Sequence, residues 1–236
     1  MDVASDPGDL ALRILFLFVY ALLFALVEIE IEGPHGWAER LPTWFRVTPG
    51  YARVYAVLMR GKPLTGYHAV MFVLPLWSFH FGFFTGAPWS WAAEAGTIAA
   101  YLCWSVVWDL LWFLLNPRFG WRRFRREEVW WHDRTRGRNW IGRFPVDYYS
   151  GVATSFAVAA SAYLTTGSWG VLRDHAIVVL ALAGLTAAAA AAAPAYMRWY
   201  IHMRRPDADE RPLVIPQDPS ASPAPPGAAG SPPLSD

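Results

Sequence analysis

The sequence is short of charge: only 17% of its 236 residues are Asp, Glu, Lys or Arg, against roughly 25% in a typical soluble domain. It has one cysteine, Cys103, which excludes an internal disulfide framework, a CxxC redox centre and a cysteine-rich zinc site. It has no Walker loop, GxGxxG turn, HExxH pair or GxSxG elbow, and no internal repeat. The nucleotide-binding, zinc-protease and serine-hydrolase classes that those motifs announce therefore have no support. Polar sequence outside the apolar runs is too scarce for a separate soluble domain.

What is present is a set of long apolar runs, with a positive mean hydropathy of +0.22. They lie at about 10–32, 66–86, 88–115, 148–166 and 176–197. Each is near the ~20 residues a helix needs to cross the hydrocarbon core. The first is too long for a signal-peptide core, and no small-x-small cleavage pattern follows it, so it reads as a retained span. Gly33-Pro34 and Asn116-Pro117 should end the helices they follow, and Pro75 should kink the second. The expected class is thus an all-α, multi-pass integral membrane protein of about five spans. Residues 1–205 make one embedded domain, and 51–59 form a short helix lying in the interface. The Pro/Ala/Gly/Ser-rich tail, 206–236, reads as disordered.

Arginine and lysine set the direction. They crowd the segments between spans one and two, between three and four, and after span five. The two-to-three turn has none, and the four-to-five turn has only Arg173. By the positive-inside rule the N-terminus is outside and the C-terminus cytoplasmic, which in a bacterium means the inner membrane. The basic segment 117–146 also carries Trp121, Trp130, Trp131 and Trp140. Arginine beside tryptophan at a membrane boundary predicts contact with anionic lipid rather than nucleic acid. The alanine-rich fifth span is expected to be a helix-packing face, and oligomerisation stays open.

Ionisable groups inside spans are costly, so each is a functional hypothesis. Placed by depth, Glu28, Glu30, Glu32, His68 and Asp109 all fall at the cytoplasmic ends of their spans, with His35, His132 and Asp147 beside them. Glu28 and Glu32, four apart, share a helix face, with Glu30 roughly opposite. Clustered carboxylates repel unless a cation lies between them. The expected site is therefore a divalent metal held by Glu28, Glu32, His68, Asp109 and His132. Iron is preferred to zinc for this imidazole and carboxylate donor set. His132 and His35 are the expected proton-handling groups, with His35 alternatively supporting a ligand. Glu32-x-x-His35 has the spacing of di-iron carboxylate proteins, but it occurs once and is interrupted by Gly33-Pro34. His80 and Glu94 should meet across the second hairpin, as a lock or as part of a proton path.

Three functions compete on these residues. The first is an oxidoreductase acting on a lipid-like or isoprenoid-like substrate, with metal-assisted hydrolysis behind it. The others are a proton or cation transporter and a non-catalytic scaffold. Bound metal separates the enzyme from the scaffold. A water connection from His80 and Glu94 to Asp109 would favour transport.

Overall fold

The computed structural model describes residues 5–59, 61–132 and 139–204. The 206–236 tail expected to be disordered lies outside the described residues, as do Arg134, Arg136 and Arg138.

Three helices among the described residues are long and apolar enough to cross a membrane: α1 (Pro7–Glu32), α5 (Trp91–Leu115) and α8 (Gly170–Met203). Helix α1 starts where Asp6 caps it, accepting from Gly8 N–H, with Pro7 preset for the first turn. It stops at Gly33, whose φ of 62° a side chain would resist. Helix α5 is capped by Ser90 and ends at Asn116 before Pro117. These stops are the ones expected from the sequence.

Between α1 and α5 the chain forms β1 (Phe45–Arg46), α2 (Gly50–Leu58), β2 (Leu64–Thr65), α3 (Gly66–Phe79) and α4 (Phe81–Phe84). Antiparallel β1 and β2 pair Phe45 with Thr65 and close the α2 excursion. After α5 come two single 3₁₀ turns, β3 (Trp140–Ile141), β4 (Phe144–Pro145), α6 (Val146–Ser161) and α7 (Tyr163–Thr166), then α8. Helix α5 is the hub, packed against α1, α6 and α8. Trp104, Leu111 and Phe113 on it are fully buried.

Of the five apolar runs, three form unbroken helices and two form broken ones. The second apolar segment divides at His80 into α3 and α4, and the fourth divides at Ala162 into α6 and α7. Side chains that bond to helix carbonyls compete with the backbone ladder. At the first break Ser78 Oγ donates to Leu74 O, and His80 Nδ1 donates to Leu76 O at 2.7 Å. At the second, Ser161 bonds to Val158 O, and Thr165 and Thr166 both bond to Ala162 O. Pro75 lies within α3, so the interruption comes five residues after the proline rather than at it.

Helix α8 begins six residues before the expected start, taking in Arg173, Asp174 and His175. Each polar group there has a partner: Ser5 N–H donates to Asp174 Oδ2 at 2.7 Å, and His175 Nε2 meets Ser155 Oγ at 2.8 Å. The outer faces of α1, α3 and α8 remain apolar, with Leu15, Phe16, Leu23, Val70, Trp77 and Leu180 all exposed. Apolar faces that continuous are covered in a membrane rather than left in water.

Candidate functional site

A cavity of about 400 Å³ opens near the end of the bundle where α1 and α5 terminate. Its polar lining includes Glu28, Glu32, Lys62, His68, Asp109, His132, Asp147 and Tyr148, and its apolar walls include Trp37, Phe72, Trp108, Trp112 and Trp131.

Local sequence positions one half of it. Thr65 caps α3 by accepting from His68 N–H at 3.0 Å, and its Oγ1 also meets His68 Nδ1 at 2.9 Å. Trp37 stacks on the same imidazole at 3.9 Å, and its indole donates to Pro63 O. These contacts turn His68 Nε2 toward α1, 3.8 Å from Glu32 Oε1 and 4.0 Å from Glu28 Oε1. Glu32 is held by Ala38 N–H, which donates to Oε1 at 2.6 Å. That bond depends on a left-handed turn at Trp37 (φ 57°) and Ala38 (φ 54°). Non-glycine residues adopt that conformation at a cost, typically where surrounding structure imposes it.

Glu28, Glu32 and His68 are all buried, and each offers a donor atom within 4.8 Å of the others. A separation of 3.8–4.0 Å is too long for a hydrogen bond. It is still within twice the ~2.0–2.2 Å of a bond from zinc to an imidazole or carboxylate.

The other half is a chain of ionisable groups. His132 lies between two carboxylates, with Nδ1 3.1 Å from Asp147 Oδ2 and Nε2 3.3 Å from Asp109 Oδ2. Lys62 Nζ donates to Asp147 Oδ2 at 2.9 Å and sits over the Trp37 ring at 4.9 Å. Tyr148 O–H donates to Asp109 Oδ2 in a short bond. The Asp109 side chain is 35% accessible, whereas His132 is almost completely enclosed. The cavity lining includes Asp109, so that accessible carboxylate faces the cavity. The proton-bearing groups thus run from a buried imidazole to an accessible carboxylate.

The structure therefore brings the five expected ligands to one cavity but divides them. Glu28, Glu32 and His68 form the compact donor set, while Asp109 and His132 belong to the neighbouring chain of acids and bases rather than to a five-ligand shell. His35 does not line the cavity; its Nδ1 is 3.8 Å from Glu39 on a partly exposed turn. Glu30 points away, 3.9 Å from Arg118. His80 and Glu94 do meet, at 2.9 Å, and Trp89 N–H donates to the second Glu94 oxygen.

Sequence reasoning left Lys62, Tyr148 and Trp37 out of the site. Lys62 looked like one more cytoplasmic cation, and nothing local marks it as buried. Asp147-Tyr148 at the start of a helix was the available signal, since side chains there face the same end of the bundle as Asp109. Residues 117–132 fold back onto the helices. Phe124 packs on Phe113 at 4.3 Å and Trp131 is buried, leaving Trp130 as the most exposed of its four tryptophans. Neither a protein-family model, nor a curated protein, nor a solved structure matches this chain.

Proposed function

We propose that this is a membrane metalloprotein: a divalent cation bound by Glu28, Glu32 and His68 serves an amphiphilic substrate whose polar end enters the 400 Å³ cavity. One observation carries the reading. Two carboxylates are buried side by side, and their one ion-pairing partner among the described residues is the His68 imidazole. Burying unbalanced charge is expensive, and a divalent ion would neutralise both acids at once. When Thr65 Oγ1 accepts from Nδ1–H, the Nε2 lone pair is free toward the carboxylates, the usual arrangement of a ligating histidine.

In this reading Asp109, His132, Asp147 and Lys62 exchange protons with the bound substrate. The aromatic walls hold its apolar portion. The oxidoreductase assignment, with iron preferred, rests on the imidazole-plus-carboxylate donor set. The surrounding topology is the five-span one, with α3–α4 and α6–α7 each crossing as a broken helix. The N-terminus is outside, α2 lies in the interface, and the arginines of 117–146 face anionic lipid.

The test is metal content and metal binding of the detergent-purified full chain, beside Glu28→Gln and His68→Ala. One equivalent of metal in the wild type, lost in both variants, is expected. Adding dioxygen to the ferrous protein should change its visible spectrum, whereas tight binding of zinc alone would redirect the reading to hydrolysis. A folded wild type that takes up no equivalent of iron, zinc or cobalt overturns the proposal.

A further inference from the structure

A second, larger cavity of about 880 Å³ lies between α5, α6 and α8. One wall is the α5 face carrying Cys103, Leu110 and Leu114, and the other is the alanine tract of α8, including Ala183, Ala187 and Ala190. The alanines were expected to bring helices into close contact. Ala193, with Ala189 and Ala190 beside it, does pack into the core, while Ala183 and Ala187 lie along an open apolar groove. Its mouth is of different chemistry: Trp121 and Arg122 line it, and Arg143 lies over the Trp121 ring at 4.4 Å. Among the described residues the carboxylates of this segment pair with Arg123, Arg125 and Arg126. None of the described carboxylates pairs with Arg122 or Arg143.

We infer that this groove binds one anionic phospholipid, its acyl chain between α5 and α8 and its phosphate at Arg122 and Arg143. Charge complementarity selects the head, since guanidinium forks match phosphate oxygens. Depth selects the tail. From Cys103 to Leu114 the α5 wall runs about 17 Å at 1.5 Å per residue, close to one leaflet of a ~30 Å hydrocarbon core. The site stands apart from the metal reading, because neither Glu28, Glu32 nor His68 lines it.

Native mass spectrometry of the detergent-purified full chain tests the inference, with phosphatidylglycerol and phosphatidylcholine of identical chains as probes. One phosphatidylglycerol should be retained in preference to phosphatidylcholine. Arg122→Glu at the mouth and Ala187→Trp in the wall should each weaken retention about tenfold. Arg46→Glu makes the same charge change at an exposed arginine outside the 117–146 segment that does not line the groove, and should leave retention unchanged. If Ala187→Trp does not fold, Ala190→Leu replaces it with a smaller filling. Equal retention of both lipids, or an equal loss in the Arg46 variant, overturns the inference. So does a wild-type dimer that Ala187→Trp dissociates without affecting lipid, because the groove would then be an interface between copies.

Discussion

Single residues set the geometry of the cavity through bonds that are not themselves chemical. Thr65 both starts α3 and fixes the His68 ring. Thr65→Val keeps the volume and removes both contacts. It should cost about 1 kcal/mol through the lost cap and lower metal affinity by roughly 10–100-fold through the lost ligand support. A thermal melt and a metal titration check the two effects separately. Gly36 is constrained by space: a Cβ there would lie 2.2 Å from the Trp131 ring. Gly36→Ala should therefore destabilise by about 1–3 kcal/mol, the usual cost of overpacking, and loosen the turn that presents Ala38 N–H to Glu32. An unchanged melting temperature would contradict that crowding. At the surface, hydrogen bonds from Arg125 and Arg123 hold the Glu128 carboxyl below the usual carboxylate range. A depressed folded value stabilises above the unfolded pKa, and the benefit is lost as pH falls through the folded one. Glu128→Gln should thus be less stable than wild type near pH 7 and indistinguishable from it in strong acid. The difference should be small and weakened by salt, because the pair is exposed.

At the scale of elements, the broken helices carry the structural polar pair. His80 stands at the junction of α3 and α4 and reaches Glu94 in the first turn of α5, with both side chains largely buried at 23% and 17% exposure. Its two ring nitrogens face Leu76 O and the Glu94 carboxylate, so the ring ties the break in one helix to the start of the next. A double-mutant cycle with His80→Ala and Glu94→Ala should give a coupling of about 1 kcal/mol. A coupling near zero in thermal unfolding would mean that the pair does not hold the hairpin together. Neither residue lines the 400 Å³ cavity that holds Asp109. At the other junction, Ser and Thr side chains bond to carbonyls of the preceding turn, so both interruptions arise from the same competition for acceptors.

For the whole molecule, the testable statement is which side each connection faces. Cys103 is the single cysteine and is buried, so a Cys103→Ala background is suited to single-cysteine labelling. Cysteines at Arg53, Arg125 and Arg198 should react with a membrane-impermeant reagent from one side, and cysteines at Ala87 and Ser168 from the other. Labelling of Arg53 and Ala87 from the same side would mean that α3–α4 does not cross.

The apolar runs, the helix stops at Gly33 and Asn116 and the common depth of the acidic and imidazole groups were all legible in the sequence. Each follows from local chemistry: hydropathy over about 20 residues, proline and glycine backbone limits, and charge that must lie near water. Two of the three donor residues, Glu28 and Glu32, could even be assigned to one face by helical period. Tertiary structure decided the rest. It separated Glu28, Glu32 and His68 from Asp109 and His132, and it folded residues 117–132 back so that His132 became buried. It also enclosed Lys62 beside Asp147, left His35 outside the cavity, and opened a groove beside the alanine-rich packing face. Each of these depends on which side chain from a distant segment fills a given space, and a partner 83 or 85 residues away, such as Gly33 for Asn116 or Asp147 for Lys62, leaves no periodic trace in the sequence.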